Sequence, residues 1–600
     1  MVEFSTDARP RSMLPATTSS DLTFSTISQW MAECLNKHDH CRDSDSFDRT
    51  ASLKSVRFLK LADTSVTLVD SILPTSYVCL SYCWGVGTSM PKTTTENIAA
   101  RKEAGIDISS LPKVFKDAID ICKKFRVEYL WIDSLCIVQD DNQDWIAQSA
   151  CMADIYEHGR FTIFALSARA PDDGCYSETH ELYQGTRLPA YTNVYVRKRP
   201  KDSARPDGSD FPLLQRAWAY QEICLSPRAI LYGSEEVYWR CRTVEKRQAT
   251  TEPFKAMNNH VHSNYHIHPQ DLLTKQKQSL RLRDQFPYSS EDVLSQAWYS
   301  MVETYTRKHL TYATDRLPAL AAMANRQRSA RSNDQYLAGL WKGTILNDLL
   351  WHATARTDHY NANRGSSTRP TNPDLPTWSW ARKEHAVRWR KDCVRRLSNV
   401  HVLQTMCDTL GPPIIGRVTN AALVVLQAPL IPLSSMHAES KSSPDEISSE
   451  LKYEFARNRI LYKQDTNKSV RKYNADDLLH RPCWDPSEME TSDPQRVFAL
   501  PLVGEKPWVR RGLPYPSLLA LMVQKHASKD EYVRVGTVEV RHVGLVLLSN
   551  LYDKRGVRLP GEPNFGRPAG RRIFEGAIDK CWKRQIAKME SMETQVVTLI

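Results

Sequence analysis

Two carboxylates in this chain sit where spacing could put them to chemical use. Asp133 closes the apolar run Tyr129-Leu130-Trp131-Ile132, and a helical pattern follows within a few residues. Such a run reads as a buried strand, and ligands in open α/β sheets gather at the C-terminal edge of the strands. There Asp133 either binds a hydroxyl of a ribose-like ligand or caps the next turn through an Asx bond. Glu222 follows Trp218 by four residues, so on a helix both side chains leave one face. A carboxylate beside a large aromatic is partly desolvated and can stabilise a cation forming next to it. The alternative is that Glu222 pairs with Arg216 or Arg228 and fastens its helix to the sheet. Ser81, Tyr82, Trp84 and Gly85 end a second strand-like run, Tyr77 to Gly85, at the same edge. Trp84 there either stacks on a nucleobase or packs.

Sulfur offers less. Cys34, His38, His40 and Cys41 crowd into eight residues, but the spacing matches no zinc finger or ribbon. The reading is a helix end with packed thiols and no metal. The 14 cysteines are scattered and many lie inside apolar patterns, as Cys79, Cys83, Cys122 and Cys136 do, which fits free thiols in a reducing compartment. No Ser-His-Asp or Cys-His constellation has supporting context, and no glycine-rich phosphate loop or H-E-x-x-H motif occurs. No resident cofactor is implied.

The elements that must position these residues follow from periodicity. Residues 55–70 alternate like a hairpin, and Tyr77 to Gly85 is a strand ending in the turn Gly85-Val86-Gly87. Ser110-Leu111-Pro112 opens a helix whose Val114, Phe115, Ala118, Ile119, Cys122 and Phe125 form one apolar face. Tyr129 to Ile132 is a second strand, a helix capped at Asp140-Asp141-Asn142 follows, and Phe161 to Leu166 is a third strand. This alternation predicts crossovers and a parallel sheet. After a polar excursion over 171–210 come the short helix with Trp218 and Glu222 and strands at 229–232 and 237–239.

Six hundred residues exceed one ordinary core. The expected organisation is a disordered tail over 1–26, an N-terminal extension over 27–74 and an α/β domain over 75–245. A polar linker or insertion spans 246–290, and a helical region at 291–360 includes a helix from Tyr336 to Trp351. A β-rich region over 361–600 is interrupted by a Ser-rich linker at 434–450. The net charge of +11 is modest and its densest basic stretch, Arg382 to Arg396, is mixed with acids, so a nucleic-acid partner is not expected. The longest apolar run falls short of a membrane span and the N-terminus lacks a signal-peptide core, which predicts a cytoplasmic protein.

Five motifs in order then resemble the heterokaryon-incompatibility (HET) domain of filamentous fungi. They are YVCLSYCWG (77–85), LP-x4-DAI (111–119), YLWIDSLCIVQDD (129–141), DW with M-x2-IY (144–156) and RAWAYQEICLSPRAILY (216–232). Flanking pieces agree: W-x3-C-x3-H-x2-C (30–41), LT-x3-DRLPAL (310–320), YLAGLW (336–341) and TWSWA (377–381). The resemblance implies a part in non-self recognition and cell death, with other HET or signalling proteins, or further copies of the chain, as partners. HET domains are in turn distantly similar to TIR domains, which have a flavodoxin-like α/β fold. Some TIR domains cleave NAD, using a glutamate four residues after a tryptophan. This second resemblance implies NAD as substrate, with Glu222 catalytic and Ser81, Trp84, Gly85, Asp133 and Trp218 binding it. A non-catalytic signalling module, or an accessory protein of a metabolic gene cluster, are the alternatives.

Overall fold

The computed structural model describes residues 13–42, most of 53–249 and much of 290–600. The longest stretches outside the description are 199–210, 250–289, 354–371, 433–453, 462–496 and 542–585. Residues 250–289 of the linker expected at 246–290, the whole linker expected at 434–450 and residues 1–12 of the tail expected over 1–26 therefore lie outside the described residues, while the start of the first linker is the end of a strand, Glu245–Arg247. Two compact units emerge: residues 1–293 with 307–330, and residues 294–306 with 331–600.

The first unit is built on a nine-stranded sheet. Its strands are β1 (Phe58–Leu61), β2 (Ser65–Val69), β3 (Val78–Ser81), β4 (Ile106–Asp107) and β5 (Tyr129–Trp131), then β6 (Phe161–Ala165), β7 (Arg228–Tyr232), β8 (Val237–Cys241) and β9 (Glu245–Arg247). Across the sheet the order is β9-β8-β7-β6-β3-β5-β1-β2-β4. The four central strands β5, β3, β6 and β7 are parallel. Taken by themselves they stand in the order second-first-third-fourth, the beginning of the flavodoxin-like order. The outer strands all join antiparallel, so the sheet is mixed rather than parallel. The reason is connection length: β1–β2 and β7–β8–β9 are joined by tight turns, and a hairpin can only return antiparallel.

Helices supply the crossovers. Helix α2 (Lys113–Lys124) buries Val114, Phe115, Ala118, Ile119 and Cys122, the face that spacing predicts, but Pro112 rather than Ser110 is its cap. Ser110 instead ends a preceding 3-10 turn. Helix α3 (Asn142–His158) is capped by Asp141, whose carboxylate accepts from the N–H groups of Gln143 and Asp144. Asp140 is not part of that cap; it binds the Thr95 backbone and hydroxyl.

The N-terminal boundaries move. Helix α1 (Asp21–Lys37) begins inside the expected tail, with the Ser20 side chain accepting from the Thr23 N–H. Its Phe24, Ile27, Trp30, Met31 and Cys34 are buried at helical spacing, so this segment belongs to the core. The hairpin β1–β2, placed in the N-terminal extension, is likewise part of the main sheet.

The second unit is described by itself. An eight-stranded, almost wholly antiparallel sheet draws its strands from residues 394–599, as the β-rich reading predicts. Against this, the expected helix over Tyr336–Trp351 is a hairpin, Tyr336–Leu337 with Leu340–Trp341, followed by a 3-10 turn and one short helix. Ala338 and Gly339 at its tip have φ of 44° and 101°, which no helix contains. Trp298, Trp341, Trp378 and Trp380 are fully buried around this turn, and the Gly339 carbonyl accepts from the indoles of both Trp298 and Trp380. Among the described residues no helix is long and apolar enough to cross a membrane.

Candidate functional site

Strand β3 delivers the first group of the site. All four of its residues are buried, and Ser81 ends it beside Phe164 of β6. The crevice between the ends of β3 and β6 is where the strand order reverses, the place at which open α/β sheets bind ligands. The helix that covers this point is α4 (Ala217–Leu225). Ala219 and Ile223 of α4 pack with Phe164, Leu166 and Leu231 in one apolar cluster, which fixes the rotation of the helix. That rotation turns Glu222 toward the sheet edge, where it accepts a short hydrogen bond from the Ser81 hydroxyl.

Glu222 is 8% exposed, and burial pushes its carboxyl from the ordinary 4.5 up to about 7. The Ser81 hydrogen bond opposes this, the charge of Asp133 adds to it, and Arg216 and the Tyr156 hydroxyl pull it back down. The arginine pairing considered for Glu222 is not what forms. Arg216 donates to the Tyr82 carbonyl, and Arg228 donates to the carbonyls of Arg160 and Cys41. A buried carboxyl that forms no ion pair with either of these arginines and is held up to about 7 suits acid–base or charge-stabilising work.

Asp133 stands at the end of the neighbouring strand β5, as the first residue of a short helix, Asp133–Cys136. Its two oxygens have different partners. Oδ1 accepts the Ser134 N–H at 2.7 Å, while Oδ2 accepts the Trp84 indole N–H at 2.9 Å. Burial raises its carboxyl above the usual range, against the pull of the Trp84 hydrogen bond and of Arg216. Trp84 is half-buried, with the Lys92 ammonium 5.2 Å above its ring. Gly85 follows at φ 75°, the left-handed geometry that lets the chain turn away from the strand end. Val86 and Gly87, the rest of the expected turn, lie outside the described residues.

Ser81, Glu222, Asp133 and Trp84 are thus brought to one edge, joined in pairs by hydrogen bonds and by the charge that Asp133 places on Glu222. Trp218 is held differently. It is half-buried, and its indole donates to Asp315 at 3.1 Å from a 3-10 turn, Ala313–Arg316. The chain just before that turn steadies the start of α4, where the Ala217 N–H donates to the His309 carbonyl at 2.9 Å. Sequence reasoning passed over Tyr156, Asp315 and Ser134. Tyr156 entered only as the last residue of the M-x2-IY motif, and Ser134, which accepts from Tyr82 at 2.9 Å, is fully buried. Asp315 lay in the DRLPAL motif without any sign of its partner.

Comparison with known proteins bears on this region. Residues 77–222 match the family model described as heterokaryon incompatibility protein (HET), a span that runs from the residue before β3 to Glu222 itself. The chain is also similar to heterokaryon incompatibility protein 6, OR allele, of Neurospora crassa. The two are 30% identical over 109 residues, which cover 16% of this chain and 15% of that protein. No solved structure matches the chain significantly. Residues 77–222 are accordingly a HET domain, and the chain is a HET-domain protein.

Proposed function

We propose that this chain acts in fungal heterokaryon incompatibility and that its HET domain does so by hydrolysing NAD at the bond between ribose and nicotinamide. The family match and the similarity to a heterokaryon incompatibility protein support the first part. One observation carries the second: a buried carboxyl at the strand-order reversal, bonded to Ser81 and held up to about 7.

The chemistry needs little else. The bond from ribose C1′ to the nicotinamide nitrogen breaks, and nicotinamide leaves with the electron pair, so it needs no acid to protonate it. The ribose carbon becomes cationic, and ionised Glu222 stabilises it electrostatically. Water then attacks C1′, and its proton passes to the Glu222 carboxylate, giving ADP-ribose and free nicotinamide. In this reading Asp133 and Trp84, at the same edge, bind the ribose hydroxyls and the nicotinamide or adenine ring. Substrate must displace the Ser81 hydroxyl from Glu222, which suits an activity that is low in the single chain and rises when protomers assemble. A second reading takes the same bond as a permanent latch, making the domain a non-catalytic partner surface; the low exposure of Glu222 favours it.

Expression of the full chain in a host cell separates the two. Catalysis predicts that cellular NAD falls and growth stops with the wild type, while the Glu222→Gln variant at equal abundance spares both. Equal NAD in wild type, variant and empty control would leave the latch.

A further inference from the structure

Away from the sheet edge, the N-terminal helix ends on an assembly that neither the family match nor the proposed activity uses. Helix α1 delivers Cys34 in its last turn. His38 is its extended C-cap, and the chain then turns back so that the Cys41 N–H donates to the His38 carbonyl at 2.9 Å. Cys241, the last residue of β8, meets them from 200 positions further on. One ligand atom from each of Cys34, His38, Cys41 and Cys241 lies within 4.8 Å of all the others, and all four residues are buried. The His38 Nδ1 is 3.4 Å from the Cys241 sulfur.

From these positions we infer that Cys34, His38, Cys41 and Cys241 form a structural zinc site. Four donors on a tetrahedral zinc, with Zn–S of about 2.3 Å and Zn–N of about 2.0 Å, stand roughly 3.5–3.8 Å from one another. The separations here are all within 4.8 Å, and the one between the His38 Nδ1 and the Cys241 sulfur, 3.4 Å, is already at this spacing. Three sulfurs and one imidazole are a closed structural donor set, and soft thiolates select zinc over the harder divalent ions. The surroundings also suit thiolates. The Val244 N–H points at the Cys241 sulfur at 3.4 Å, and the Thr243 hydroxyl lies 3.6 Å from that of Cys41. Such outer hydrogen bonds orient metal-binding sulfurs. Zinc with three thiolates carries a net negative charge, and Arg228, 4% exposed, donates to the Cys41 carbonyl at 2.7 Å, placing a buried positive charge beside it.

The side chain of His40, crowded into the same sequence cluster, lies outside the described residues. Short spacing argues against a metal when all its ligands must come from eight residues, but here the fourth comes from a distant strand. The ion would clamp α1 to the end of β8 and so close a loop of some 200 residues, which makes metal binding part of the folding free energy.

The test uses the purified full chain. Elemental analysis should find about one zinc per chain, and exchange into cobalt should give the d–d and thiolate charge-transfer bands of a tetrahedral site. Cys241→Ser and His38→Ala should each lower zinc occupancy at least tenfold, roughly, while His38→Cys, which still offers a tetrahedral donor set, should retain it. If Cys241→Ser fails to fold, the cobalt spectrum of the wild type and the contrast between His38→Cys and His38→Ala still decide. A chain that takes up neither metal overturns the site. So does a disulfide among the three cysteines, or zinc that is indifferent to these substitutions.

Discussion

A carboxyl that titrates at about 7 inside a protein carries consequences that can be measured without any substrate. In the unfolded chain Glu222 ionises near 4.5, so between there and 7 the folded state holds a proton that the unfolded state releases. The native fold is therefore favoured by this group at low pH and loses that advantage as pH rises through 7. The displacement from 4.5 to about 7 corresponds to about 3 kcal/mol. Glutamine cannot ionise, so Glu222→Gln should gain stability over the wild type by about that amount between pH 4 and pH 8, read from denaturation midpoints. A difference that does not change with pH would show that Glu222 is not shifted. Ser81→Ala removes a hydrogen bond that lowers the Glu222 pKa in the free protein, so the midpoint of kcat/KM against pH should move upward by about one unit. At this scale the sequence was informative in part. Glu222 stood out through the tryptophan four residues before it and Asp133 through its place at a strand end. The Ser81 contact, the Tyr156 hydroxyl and the diversion of Trp218 to Asp315 were not visible, because each joins residues from segments far apart in the chain.

Elements were legible where periodicity and caps agreed. Strands β3, β5 and β6 and helices α2 and α3 fall where alternation and apolar spacing put them, and Asp141 caps α3 as its type suggests. The segment 336–351 shows how the same reasoning fails. Its apolar residues are dense enough to imitate a helix, yet Ala338-Gly339 takes a left-handed turn that the pattern of side chains does not record. That turn gives a sharp test. A Cβ on Gly339 would stand 2.6 Å from the indole nitrogen of Trp380, which is itself fully buried, at a φ of 101° that side chains resist. Gly339→Ala should therefore destabilise the second unit by roughly 2–4 kcal/mol, seen as a lower thermal midpoint, whereas Gly343→Ala, with its nearest contacts at 3.2 Å or more from the Asp334 side chain, should cost much less. Equal effects would contradict the packing described around that turn.

On the scale of the molecule, what could not be read in advance is pairing across long separations. Alternating strands and helices implied a parallel sheet, and the four central strands form one, but nothing local stated that a hairpin at 58–69 and strands at 237–247 would extend it antiparallel on both sides. Nor could the Cys34-His38-Cys41 cluster announce Cys241. Yet the strand order that results places the reversal point beside Ser81, and α4 brings Glu222 to it, so the global topology turns two distant residues into one site. Whether that site breaks NAD decides what the domain does. The direct measurement is nicotinamide release from NAD by the purified full chain, wild type and Glu222→Gln, across pH 5 to 9. A Glu222 carboxylate at work predicts release that rises with pH through about 7 and a loss of roughly a hundredfold or more in the variant. Equal release by wild type and variant, or none by either when the chain is assembled, would contradict it.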